Sequence, residues 1–131
     1  MKSSIKVLAI FSFLLLCSAT MCHEEDPFSC NDYLTEMQEL KLEIDALIDT
    51  ASCTESAECL SIAFGSKPCG GPWSYLVYST SIDTDLLTSL VADYNNLEEA
   101  YNNNCDVVSD CMFVSPPSEL SCEDGKCAIV N

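Results

Sequence analysis

The sequence predicts an α+β domain: two amphipathic helices packed on one face of a small antiparallel sheet, in the order α-β-β-α-β-β. Three observations carry this expectation. Residues 31–51 and 84–103 repeat apolar side chains at helical spacing. Short apolar and aromatic runs, bounded by Gly, Pro and an Asp-Gly pair, lie between and after them, as hairpin strands do. Ten cysteines in 131 residues mark a disulfide framework and an oxidising compartment.

Residues 1–22 have the anatomy of an export signal. Lys2 and Lys6 supply a positive start, and residues 7–16 are apolar with only Ser12 interrupting. That run is too short for a spanning helix, so no transmembrane segment is expected in the mature chain. Cleavage after Ala19 leaves nine cysteines, and cleavage after Cys22 leaves eight. A lipid anchor on Cys17 or Cys22 is the third alternative, disfavoured by the bulky Leu16 and Met21 that precede them. Parity favours four disulfides among Cys30, Cys53, Cys59, Cys69, Cys105, Cys111, Cys122 and Cys127. The expected product is secreted, extracellular or periplasmic, with a cell-surface lipoprotein as the alternative. Residues 23–29 (HEEDPFS) read as an acidic tether, and residues 30–131 as a single domain.

The first helix carries Tyr33, Leu34, Met37, Leu40, Ile44, Leu47, Ile48 and Ala51 on one face, with Asn31 or Asp32 as N-cap. Residues 59–64 alternate as a strand, and residues 73–79 (WSYLVYS) form an aromatic and β-branched partner. Between them, residues 65–72 (GSKPCGGP) hold three Gly and two Pro, which defines a loop. The second helix places Leu86, Leu87, Leu90, Val91, Tyr94, Leu97 and Tyr101 on its buried face. Asp83 caps it, Ile82 and Leu87 staple its start, and Asn102 to Asn104 end it. Residues 111–114 (CMFV) read as a strand closed by Pro116-Pro117, with a further short strand near Leu120. Asp124-Gly125 turns a final hairpin. Cys122 and Cys127 then face each other, and either bridge across the hairpin or tie to different elements.

Charge excludes several functions. The whole chain has 21 acids, five lysines and no arginine, a net charge of −16. After loss of the signal only Lys41, Lys67 and Lys126 oppose the 21 acids, leaving −18. Such a chain should not bind nucleic acid, whose phosphates need clustered cations, and should attract basic partners. The lone His23 lies beside the signal, so histidine-dependent nucleophilic machinery is unavailable in the core. Secretion favours disulfides over zinc thiolates. Asp83 and Asp85 do not continue as a calcium loop. The close acid pairs, Asp83/Asp85, Glu98/Glu99 and Glu123/Asp124, read as solvated surface. No catalytic residue, metal or cofactor is expected.

The 65–72 loop is the candidate binding element, anchored by Cys69. Lys67, Pro68, Gly70, Gly71 and Trp73 are the candidate contact residues, because rigid loops bind at low ordering cost and Trp and basic side chains anchor interfaces. Lys67, between Ser and Pro, is expected to be exposed. Trp73 is expected either to cap the core or to face outward. The function these features suggest is inhibition of an extracellular hydrolase, a peptidase or a lysozyme. A structural or adhesive surface module is the alternative.

The string FGSKPCGGPWSYLVYS at residues 64–79, with Ser109-Asp110-Cys111, Pro116-Pro117 and the closing cysteine hairpin, resembles a group of small exported Cys-rich bacterial proteins. The resemblance would cover most of the mature chain. It implies no catalytic residue and no activity.

Overall fold

The computed structural model describes residues 28–130. The export signal, the lipid-anchor alternatives at Cys17 and Cys22, His23 and most of the tether lie outside the described residues. Helix α1 spans Cys30–Asp49, β1 Cys59–Phe64, β2 Ser74–Ser79, α2 Thr84–Asn104, β3 Leu120–Glu123 and β4 Lys126–Ile129. A single 3-10 turn, Ser56–Glu58, leads into β1. The α+β class and the element order are those the sequence predicts.

Helix α1 starts one residue before the expected boundary. Its N-cap is Ser29, not Asn31 or Asp32. The Ser29 hydroxyl accepts from the Asp32 N–H, and the Asp32 carboxylate accepts from the Ser29 N–H at 2.8 Å. The Ser29 hydroxyl also donates to the Asp32 carboxylate at 2.7 Å, and this bond, with the one from the Ser29 N–H, holds the Asp32 carboxyl below its ordinary pKa. Helix α2 starts as expected, with the Asp83 carboxylate accepting from the Leu86 N–H at 2.9 Å. The Cys30–Cys105 bridge joins the first turn of α1 to the end of α2, so the helices run antiparallel.

The two helices and the β1-β2 hairpin enclose the core. Ile44, Phe64, Tyr78, Leu87 and Val91 are buried there, with Leu47, Ile48, Leu76 and Ile82 against them. Phe64 stacks on Tyr94 with ring centroids 4.4 Å apart. Leu34 and Leu86 were expected on the buried faces but stay about half exposed, at 46% and 48%. Both lie near the start of their helical stripes, on a margin left uncovered.

The strands form two two-stranded antiparallel sheets rather than one. In the first, Cys59 pairs with Ser79 and Phe64 with Ser74. In the second, Leu120 pairs with Ile129 and Glu123 with Lys126. Residues 111–114 are not a strand. Cys111 has φ +52°, which breaks an extended run, and Met112 and Phe113 are exposed, so neither face has a partner to pack on.

Disulfides replace the missing ladder between the two sheets. Cys122 sits opposite Cys127 in the hairpin, yet the bridges are Cys53–Cys122 and Cys59–Cys127. The alternative of a bridge across the hairpin is thereby excluded. The sulfurs of Cys53, Cys59 and Cys127 lie within 4.8 Å of one another, all engaged in these two bridges. Lys126 completes the join. Its ammonium donates to the carbonyls of Asp49 and Ala51 at 2.8 and 2.9 Å, satisfying the end of α1, whose own last turn carries no base. Among the described residues no helix is long and apolar enough to cross a membrane.

Leu87 has no exposed surface. Leu87→Ala should cost about 2–5 kcal/mol by cavity formation, while Leu86→Ala on the exposed margin should stay within about 0.5 kcal/mol. Urea unfolding of the two variants checks the assignment of the faces.

Candidate functional site

The 65–72 loop is held from below by α2. Asn95, Glu98 and Asn102 recur at helical spacing, so they share one face. Asn95 accepts from the Gly65 N–H at 2.7 Å and donates to the Ala63 carbonyl at 3.3 Å. The Glu98 carboxylate accepts from the Ser66 N–H. Asn102 donates to the Ser66 carbonyl at 2.7 Å. Four backbone groups at the strand exit thus find helix side chains instead of water.

Gly65 is required here twice over. Its φ is +84°, and a Cβ would fall 2.6 Å from Trp73 Cδ1 and 2.9 Å from a Glu98 oxygen. Trp73 therefore lies directly over the backbone at Gly65, beside the Glu98 carboxylate. Burial pushes the Glu98 carboxyl above its ordinary pKa, and the hydrogen bonds from Ser66 and Trp73 only partly offset this.

Beyond Ser66 the chain makes a tight turn. The Gly70 N–H donates to the Lys67 carbonyl at 2.8 Å, and the Lys67 N–H donates to the Gly71 carbonyl at 2.8 Å. Pro68 follows Lys67, the place where its fixed φ suits a turn. Pro68, Cys69, Gly70 and Gly71 form the exposed tip.

Lys67 is not exposed. It is 6% accessible, which corrects the expectation drawn from its polar neighbours. Its ammonium donates to Asp110 at 3.1 Å and to the Met112 carbonyl at 2.8 Å, and sits 5.1 Å from the centre of the Trp73 ring. The segment that covers it, residues 106–118, is far away in sequence, so local polarity could not reveal the burial. Trp73 lies between the two expected positions: the residue is 39% exposed, with its ring beside Lys67 and over Gly65.

The covering segment is the second half of the site. Cys69 bridges to Cys111, so the two loops are covalently joined. Asp110 faces Lys67 and also accepts from the Met112 N–H at 3.2 Å. The Lys67 hydrogen bond, with help from Met112, holds the Asp110 carboxyl below its ordinary pKa. Val114 and Pro117 line a hollow of about 300 Å³ with Trp73, Tyr75 and Ile129. Between these anchors the side chains turn outward: Val108, Met112 and Phe113 are 87%, 67% and 83% exposed.

Of the five sequence-predicted contact residues, Pro68, Gly70 and Gly71 are at the surface, Trp73 is partly so, and Lys67 is internal. The exposed apolar residues of the neighbouring segment were missed, because CMFV reads as a strand. The signal was present in the Cys before the three apolar residues and the Pro-Pro after them. That pattern brackets a constrained loop as readily as it ends a strand. No family model, curated protein or solved structure matches this chain.

Two outcomes test the clamp. Lys67→Met keeps the aliphatic packing and removes the ammonium. It should cost about 1–3 kcal/mol, visible as a lower melting temperature with the fold retained. Asp110 contributes stability above its unfolded pKa that is lost as pH falls through its lowered folded value. Glu98 acts oppositely: its raised folded pKa costs stability at neutral pH, and acidification through that pKa relieves the cost. The Met112 amide resonance should therefore titrate with a midpoint below 3.8, the ordinary value for Asp. Asp110→Asn should abolish that transition.

Proposed function

We propose that the mature chain is a secreted, non-catalytic binding domain that inhibits an extracellular hydrolase, a peptidase or a lysozyme. The observation that carries this reading is the pair of cross-linked loops. Cys69–Cys111 and the buried Lys67 fix them, and Val108, Met112 and Phe113 stand out from them into solvent. Three exposed apolar side chains on one short, immobilised segment form the kind of surface that marks an interaction site. Prior immobilisation removes much of the ordering cost that a flexible loop incurs on binding.

Electrostatics supports a basic partner. Each mature lysine is engaged internally or on its own helix: Lys41 pairs with Asp45 at 2.7 Å, Lys67 is clamped, and Lys126 caps α1. The acids thus face the solvent without a free counter-patch, and a basic enzyme would be steered toward them. The binding surface moves from Lys67 to the adjoining apolar segment, while the Cys69-anchored loop becomes its support.

The purified domain should inhibit at least one member of a panel of secreted peptidases and lysozymes at submicromolar concentration, and more weakly as salt is raised. Absence of inhibition across the panel at micromolar concentration overturns the reading.

A further inference from the structure

We propose that Phe113 is the side chain that enters the partner's pocket, and that the partner is a serine peptidase of the chymotrypsin type, with a deep apolar primary pocket. On this proposal the Phe113–Val114 bond is presented to the catalytic serine as a slowly cleaved substrate. The inference rests on the inhibitor reading above and narrows it to one enzyme class and one bond.

The backbone before Phe113 is fixed, Val114 after it lines a hollow, and Phe113 itself is free. Before it, Cys111 is bridged to Cys69, and Met112 is held at both backbone groups, its N–H by Asp110 and its carbonyl by Lys67. After it, Val114 lies against the hollow beside Trp73 and Tyr75. Phe113 is 83% exposed. Among the described residues no hydrogen-bond partner takes the Phe113 N–H or carbonyl. A peptidase needs those two groups and that ring: the carbonyl enters the oxyanion hole, the N–H pairs with enzyme backbone, and the ring fills the pocket. An aromatic ring suits an apolar slot and not the acidic pocket of a trypsin-type enzyme.

The disulfide topology explains how cleavage could be arrested. Phe113 and Val114 lie between Cys111 and Cys122, which are bridged to Cys69 and Cys53, and the chain after Cys122 is also held by Cys127–Cys59. The serine oxygen adds to the Phe113 carbonyl carbon, and its proton passes through the enzyme's histidine to the Val114 nitrogen as the C–N bond breaks. The new Val114 amine stays tethered next to the acyl-enzyme. It can attack the ester, return the serine its proton and restore the peptide bond before water does. The high effective concentration of a tethered amine favours that reversal. When water does react, one molecule is added and both chain ends remain attached.

The experiment uses the full disulfide-bonded domain against chymotrypsin, trypsin, elastase and a lysozyme, as wild type, Phe113→Gly and Phe113→Lys. Melting curves check that the variants keep their fold, as an exposed position should allow. The wild type is expected to inhibit chymotrypsin. Phe113→Gly should weaken inhibition by about 100-fold, and Phe113→Lys should transfer it to trypsin. After long incubation, intact mass should show a minor species heavier by one water, cut between Phe113 and Val114. If the domain inhibits a lysozyme or another peptidase and Phe113→Gly changes nothing, this inference falls while the inhibitor reading stands. Rapid, complete cleavage by chymotrypsin without inhibition makes the segment a plain substrate and overturns the inference. Inhibition of no enzyme removes the inhibitor reading itself.

Discussion

A buried ammonium organises the irregular half of this protein. Lys67 is removed from water, and such a charge is tolerable only when its donors are satisfied. Asp110, the Met112 carbonyl and the face of Trp73 surround it. Those three groups come from two segments that share no backbone ladder. The lysine therefore acts as a bolt between the 65–72 loop and residues 106–118. The Cys69–Cys111 bridge limits how far the two can separate, and the lysine defines how they sit.

The reliance on covalent and ionic fixtures follows from size. The core of Ile44, Phe64, Tyr78, Leu87 and Val91 is enclosed by the helices and the first hairpin alone. The chain after α2 adds one short hairpin and a long irregular stretch that leaves Val108, Met112 and Phe113 unburied. Bridges supply what packing does not: Cys30–Cys105 holds the stretch at its start, Cys69–Cys111 in its middle and Cys53–Cys122 at its end. They close loops with sequence separations of 75, 42 and 69 residues, and loop closure of that order restricts the unfolded chain at about 2–4 kcal/mol per bridge.

Local signals were legible and distant ones were not. Helical periodicity located both helices, Asp83 announced the start of α2, and Asp-Gly located the last turn with Cys122 opposite Cys127. The N-cap at Ser29 escaped because Asn31 and Asp32 are equally good capping residues, and only the reciprocal Ser29–Asp32 contact decides between them. The cysteine pairing depends on which hairpin lies over which helix end, a tertiary fact. Lys67 was misplaced for the same reason: its neighbours in sequence are polar, and its neighbours in space arrive from residues 110–112. Phe113 was hidden inside an apolar run that suits a strand, and only the positive φ of Cys111 and the absence of an adjoining edge turn that run into an exposed loop.

Residues 108–114 are irregular in shape yet anchored by Lys67 and the Cys69–Cys111 bridge, and such a segment should be rigid. Backbone amide relaxation measures this directly. Order parameters for Met112 and Phe113 should lie near those of the helices, about 0.85. Values below about 0.6 would show instead a loop free to move despite its anchors.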